Sequence, residues 1–96
     1  VPSSSPSLKV RAMLQRGAVI RSLAGRDKGR LLAVMRAEGR TVTVCDGSER
    51  PLNRPKSKNI RHVEPAGVSL PESELAADRT LKRALRRIDA ELNGNT

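Results

Sequence analysis

The chain has 96 residues, and its 19 lysine and arginine side chains against 10 aspartate and glutamate side chains give a formal net charge of +9. This length allows one small domain with tails and excludes a second core of ordinary size. A charge of this size on so small a body attracts polyanions, so the composition favours nucleic acid as the partner.

The chain contains no phenylalanine, tyrosine or tryptophan, and one cysteine, Cys45. Any core must therefore be aliphatic, and we expect modest stability. The missing aromatic rings also argue against recognition of splayed single-stranded bases, which proteins usually stack on such rings. A lone cysteine excludes an intramolecular disulfide and a four-cysteine zinc site. We expect no cofactor or metal, no membrane contact, and a cytoplasmic location.

Residues 1–14 begin with a small, polar, proline-containing segment. We predict that they form a disordered N-terminal extension, because this composition cannot offset the entropy of ordering by burial. Since Met13 is the first methionine, a second interpretation treats residues 1–12 as an upstream extension or as the result of a misplaced start.

From residue 15 to 65, short apolar segments alternate with turns, and strands are predicted at 17–22, 30–37, 41–46 and 59–64. In the third strand, alternation places Val42 and Val44 inside and Cys45 outside. Asp46-Gly47 predicts a tight turn, so residues 40–52 could fold as a hairpin. Pro65 is expected to end the last strand. Four or five strands of this length are predicted to curl into a small barrel.

After Pro65 the apolar residues recur with a helical period, which predicts an amphipathic helix from about Pro71 to Asn93. One face of this helix holds Ala77, Leu81, Leu85, Ile88 and Leu92. The opposite face holds Arg79, Lys82, Arg83, Arg86 and Arg87. The sequence leaves three positions for the helix open: packed on the barrel, docked on a protein neighbour, or free in solvent.

The stretch "AGRDKGR" at residues 24–30 joins the first two predicted strands. Gly25 and Gly29 are predicted to shape this loop, because glycine adopts positive φ without a steric penalty. The loop would then hold Arg26, Lys28 and Arg30 where a phosphodiester backbone could approach them. An ordinary turn with solvated charges is the alternative. Asp27 is expected to clamp the loop by accepting hydrogen bonds from backbone N–H groups.

A second basic segment, residues 54–63, reads "RPKSKNIRHV". Pro55 favours an extended backbone, in which alternate side chains point the same way. Arg54, Lys56 and Lys58 are therefore predicted to contact one phosphate strand. Arg61 and His62 are predicted to extend the contact, although His62 could instead simply end a strand.

A strand, a glycine-bounded basic loop and a second strand, followed by this basic segment, resemble the KOW motif. The closest likeness is to bacterial KOW-domain RNA-binding proteins related to large-subunit ribosomal proteins of archaea and eukaryotes. The resemblance covers residues 15–65 and implies an SH3-like barrel there, with residues 66–96 as a helical tail. The sequence departs from the family pattern in having no aromatic residue after the loop and in carrying this tail.

Together these features predict a non-catalytic RNA-binding protein that contacts structured RNA, ribosomal RNA foremost, through phosphates. The alternative is a protein-docking KOW module of the transcription or translation machinery, with the helix contacting ribosomal or transcription proteins. A nucleic-acid enzyme is the weakest class, because no Walker loop or catalytic triad spacing is present. It would require Asp27, Asp46 and Glu49 to share a metal ion.

Overall fold

The computed structural model describes residues 14–93. Along the chain it contains five antiparallel strands, followed by two helices. The strands are β1 (Ala18–Ser22), β2 (Leu31–Glu38), β3 (Thr41–Cys45), β4 (Lys56–Asn59) and β5 (Val63–Ser69). A 3₁₀ turn, Ile60–His62, joins β4 to β5, and the helices are α1 (Glu72–Leu75) and α2 (Asp78–Asn93). The predicted class, mainly β with a C-terminal helix, is confirmed.

The strands form one sheet in the order β4-β3-β2-β1-β5. The sheet is not closed, because β4 and β5 are its two edges and do not pair with each other. The prediction that Pro65 ends the last strand is wrong, since β5 continues through it to Ser69. An edge strand tolerates proline because one side of the strand needs no N–H donors for a neighbour.

The predicted hairpin over residues 40–52 is replaced by a wider one. Strand β3 pairs with β4 so that Val44 lies opposite Lys56, and residues 46–55 form the connecting loop. The Asp46 carboxylate accepts hydrogen bonds from the backbone N–H groups of Ser48 and Arg50, both at 2.8 Å. These bonds close the first turn on itself, and the following Pro51 has no N–H to continue a ladder.

A hydrophobic core lies on each face of the sheet. The first contains Leu14, Ala18, Ile20, Leu32, Val34, Val42, Val44 and Val63. The second contains Val19, Leu31, Ala33, Cys45, Leu70, Leu75, Leu81, Ala84, Leu85 and Ile88. Burial on both faces explains why β1 is apolar at consecutive positions instead of alternating.

The N-terminal boundary differs from the prediction at its last residue. Leu14 is 1% exposed and packs in the first core, so it belongs to the folded domain. The remainder of the predicted extension, residues 1–13, lies outside the described residues.

Helix α2 covers the second face of the sheet, which answers the question that the sequence left open. Leu81, Leu85 and Ile88 are buried there, each burial contributing about 1.5–3 kcal/mol of transfer free energy. Cys45 points away from Val44 as predicted, but the outer face is covered, and Cys45 is fully buried against this core. Residues 66–93 are therefore not a separate tail, since β5 and α2 are both part of the domain.

The single helix predicted over residues 71–93 is divided into α1 and α2 at residues 76 and 77. In one continuous helix Leu75 and Leu81 would point about 120° apart, because they are six residues apart at 3.6 residues per turn. The break lets both pack in the same core. Within the described part of the chain, no helix is both long enough and apolar enough to cross a bilayer.

Candidate nucleic-acid interface

The loop between β1 and β2 is built around a buried carboxylate, that of Asp27. Its side chain is 5% exposed, and its Oδ1 accepts a hydrogen bond from Lys58 Nζ at 3.1 Å. Ser22 Oγ lies 3.4 Å from the same oxygen, and Arg50 Nε lies 3.9 Å from Oδ2. Asp27 thus joins β1, β4 and the β3–β4 loop.

These neighbours keep Asp27 ionised. Burial alone would raise the pKa of the carboxyl, but the hydrogen bonds from Lys58 and from the backbone amide of Asp27 oppose that effect. The positive charges of Lys58 and Arg50 add to the opposition, and the net result is a pKa below the ordinary value. Asp27 therefore carries its negative charge at neutral pH.

The backbone of residues 22–30 is held by a dense set of hydrogen bonds. Ser22 N–H donates to Arg30 O at 2.9 Å, and Gly29 N–H donates to Ser22 O at 2.8 Å. Lys58 Nζ also donates to Ala24 O at 3.1 Å. Gly25 and Gly29 have φ of +84° and +86°, which other residues rarely adopt, so the structure agrees with their predicted loop-shaping role.

Three cations tie the β1–β2 loop to its neighbours, the β3–β4 loop and strand β4. Arg30 lies 3.3 Å from Glu49 and 3.9 Å from Asp46, which connects the β1–β2 loop to the β3–β4 loop. Arg50 and Lys58 make the second and third connections, both to Asp27. The sequence did not predict the role of Arg50, because nothing in its local pattern distinguishes it from a solvated charge.

Lys58 does not belong with the residues predicted to contact phosphate. Its side chain is 8% exposed and its ammonium group is directed at Asp27. The strand alternation placed Lys58 on the same side as Lys56, but it could not show that the β1–β2 loop covers that position. Asp27 does hold the loop, but through the side-chain donors Lys58 and Ser22 and not through the predicted hydrogen bonds from several backbone N–H groups.

The remaining cationic side chains of these segments are exposed and form no hydrogen bond or ion pair with residues 14–93. We call this set the loop cluster; it consists of Arg26, Lys28, Arg54, Lys56 and Arg61. His62 is also exposed, next to Arg61 in the 3₁₀ turn, and its carbonyl oxygen accepts from Leu23 N–H at 2.8 Å. That bond places the 3₁₀ turn directly beside the β1–β2 loop.

A second group of cations lies on the exposed side of α2. The helix cluster consists of Arg79, Lys82, Arg83 and Arg86. All four are exposed and have no partner among residues 14–93. Arg87 differs, because its guanidinium group lies 3.5 Å from Glu74.

The interface offers no arrangement suited to metal chemistry within residues 14–93, where no three histidine, cysteine, aspartate or glutamate side chains converge. Asp27 faces cations, and Asp46 and Glu49 face Arg30. Burial, followed by the nearby charges of Asp78 and Asp46, raises the pKa of the Cys45 thiol to about 11.

Comparison of the sequence with protein-family models and with curated proteins finds no match in either case.

Proposed function

We propose that this chain is a non-catalytic RNA-binding protein that contacts structured RNA, with ribosomal RNA as the first candidate, through phosphate groups. The observation that supports this most is how the cations of the two loop segments are used. Arg30, Arg50 and Lys58 hold the loops, and the five side chains of the loop cluster are exposed and form no ion pair with residues 14–93.

Phosphate is the ligand that suits this arrangement. Guanidinium groups donate paired hydrogen bonds to phosphate oxygens, and arginine supplies Arg26, Arg54 and Arg61 of the cluster. Because the loop backbone is already fixed, binding loses little backbone entropy. The chain has no aromatic ring on which to stack bases, so contacts that position the backbone are favoured over base readout.

The test compares two double variants that remove the same charge. Arg26→Gln/Lys28→Gln acts in the loop cluster, whereas Arg16→Gln/Arg36→Gln acts at the opposite end of β1 and β2. Arg16 NH1 donates to Met35 O at 3.1 Å, which places Arg16 and Arg36 together at that end. Affinity for a ribosomal RNA hairpin is measured by filter binding over a salt series.

The loop variant should bind about tenfold more weakly at low salt. Its log–log salt dependence should be shallower by about 2 units, as expected for two lost phosphate contacts. The control variant should keep nearly the parent affinity and slope. Equal losses in both variants would contradict the proposal, because attraction by net charge alone would then explain binding.

A further inference from the structure

We propose that the helix cluster is a second phosphate-binding surface, which binds an RNA segment separate from the one on the loop cluster. One chain can then join two RNA segments. This inference rests on the proposed function and adds a second, weaker site to it.

Helix α2 presents a rigid row of cations. Arg79, Lys82, Arg83 and Arg86 occupy positions i, i+3, i+4 and i+7, so they lie on one side of the helix over about 10 Å. The helix cannot turn them elsewhere, because its opposite side is buried on the sheet, with Leu81 fully covered. The row is therefore present before any ligand arrives.

The acidic side chains of α2 do not neutralise this row. Asp78 accepts a hydrogen bond from Leu52 N–H at 2.7 Å, and Asp89 accepts one from the Asn93 side chain at 2.7 Å. Glu91 lies about 130° around the helix from the centre of the cluster, at 3.6 residues per turn. The exposed side of α2 is therefore positive, although the helix also carries carboxylates.

The loop cluster and the helix cluster belong to different parts of the surface. Lys56 lies opposite Val44 in the β3–β4 pairing, so it points to the side of the sheet that holds the first core. Lys58 points to the same side, and its ammonium group reaches Asp27 of the β1–β2 loop there. Helix α2 covers the other side of the sheet. An RNA segment that contacts Lys56 thus leaves the helix cluster free.

The helix cluster borders a depression of its own. Lys82 and Arg86 line it together with Gly29, and no loop-cluster residue within the described part of the chain does so. Asp46 and Asp89 also line the depression, and their charges lower the positive potential beside the helix. The helix cluster should therefore be the weaker of the two sites and be filled only at higher RNA concentration.

The chemistry of the row favours phosphate over a protein segment. Three of its four cations are arginines, whose guanidinium groups donate paired hydrogen bonds to phosphate oxygens. Protein interfaces are usually centred on large apolar side chains, whereas nucleic-acid interfaces are polar and positive. Within residues 14–93 the exposed large apolar side chains are Leu23 and Leu92, and neither lies between Arg79 and Arg86.

The experiment counts the RNA hairpins bound to each chain. Native mass spectrometry is applied to the full chain mixed with a short ribosomal RNA hairpin, from substoichiometric RNA to excess. We expect one hairpin per chain at low RNA and two in excess. Arg79→Gln/Arg83→Gln and Lys82→Gln/Arg86→Gln should each weaken the second binding event at least tenfold. The first should keep its affinity within about twofold, because the two sites are independent.

Two variants provide the controls. Arg16→Gln/Arg36→Gln removes equal charge outside both clusters and should still take up two hairpins. Arg26→Gln/Lys28→Gln acts in the loop cluster, so it should weaken the first event and leave the second unchanged.

The outcomes separate this inference from the function on which it rests. A parent chain that never binds more than one hairpin, or helix-cluster variants that still bind two, would overturn the inference and leave RNA binding intact. Loss of both hairpins in the helix-cluster variants would also overturn it, because the two clusters would then form one site. If a polyglutamate peptide, and no second hairpin, binds the helix cluster, the partner is an acidic protein segment instead. If no hairpin binds at low salt, the proposed function fails as well.

Discussion

At the scale of single residues, identical cations have different uses. Lys56 and Lys58 are two positions apart in β4, yet Lys56 is exposed and Lys58 is buried against Asp27. The same contrast separates Arg26 from Arg50, whose guanidinium group is directed at Asp27. The number of lysine and arginine residues in the sequence therefore overstates how many cations can contact a ligand. Lys58 and Arg50 are not available, because their charged groups face Asp27.

Breaking the Asp27–Lys58 pair should destabilise the domain. Asp27→Asn leaves the Lys58 ammonium group buried without its counterion, and Lys58→Met leaves the carboxylate beside Arg50 alone. Each should lower the free energy of unfolding by roughly 3 kcal/mol, as is usual when one member of a buried pair is removed. Urea unfolding followed by circular dichroism measures this, since the chain has no aromatic fluorophore.

The double variant Asp27→Asn/Lys58→Met provides the matched control. It removes both charges, so it should lose less stability than the sum of the two single variants. Additive losses would show that the two side chains do not interact in solution.

Stability should also depend on pH through Asp27. Its pKa is lower in the folded state than in the unfolded chain, so the folded state binds this proton more weakly. The stabilisation is complete above the unfolded-state pKa of about 3.9 and is lost as the pH falls through the lower folded-state value. The thermal midpoint of the parent should therefore fall on acidification below about pH 4.

Asp27→Asn removes this contribution, so its midpoint should fall less over the same range. Glu38→Gln, which removes a carboxylate from the exposed pair with Arg36, should follow the parent profile. Parallel profiles for the parent and Asp27→Asn would show that Asp27 is not a source of the acid sensitivity.

At the scale of elements, α2 has two distinct tasks on its two sides. Leu81, Ala84, Leu85 and Ile88 cover the sheet, while the helix cluster faces outward. The apolar stripe is thus occupied within the domain, and docking of the helix on a protein neighbour would have to use its charged side. Leu92, at the end of the stripe, remains 46% exposed.

The rate at which a maleimide labels Cys45 reports on the contact between α2 and the sheet. The thiol is fully buried and its pKa is raised to about 11, so both exposure and thiolate content are low at neutral pH. Leu81→Ala should cost about 2–4 kcal/mol through the cavity that it leaves. It should also increase the rate at which a maleimide labels Cys45, because the helix would detach more often.

Glu91→Ala, on the exposed side of the same helix, should leave the labelling rate unchanged. Fast labelling of the parent chain, equal to that of the chain unfolded in urea, would show that α2 does not cover the sheet.

At the scale of the whole molecule, the predicted class of fold is confirmed, but the predicted closure into a barrel is wrong, because the edge strands β4 and β5 do not pair. Alternation in β3 and the helical period of α2 are properties of single elements, and both were found. The break between α1 and α2, and the burial of Cys45 and Lys58, depend on how elements pack together. No local pattern carries that information.

In the candidate site, too, local features could be predicted from the sequence, and contacts between distant residues could not. The glycine-bounded loop and its clamping aspartate could be predicted, because turn geometry is local. The partner of Asp27 could not, since Lys58 is 31 residues away. The helix cluster was visible as a charged face, but its availability depends on acidic side chains that are paired through the fold.

The measurement that tests the central claim most directly is the salt dependence of binding between the full chain and a ribosomal RNA hairpin. The account predicts clear binding in dilute buffer and a log–log slope of about −4 to −5, which corresponds to five loop-cluster cations on phosphates. Absence of binding in dilute buffer, or an affinity that does not change with salt, would contradict it.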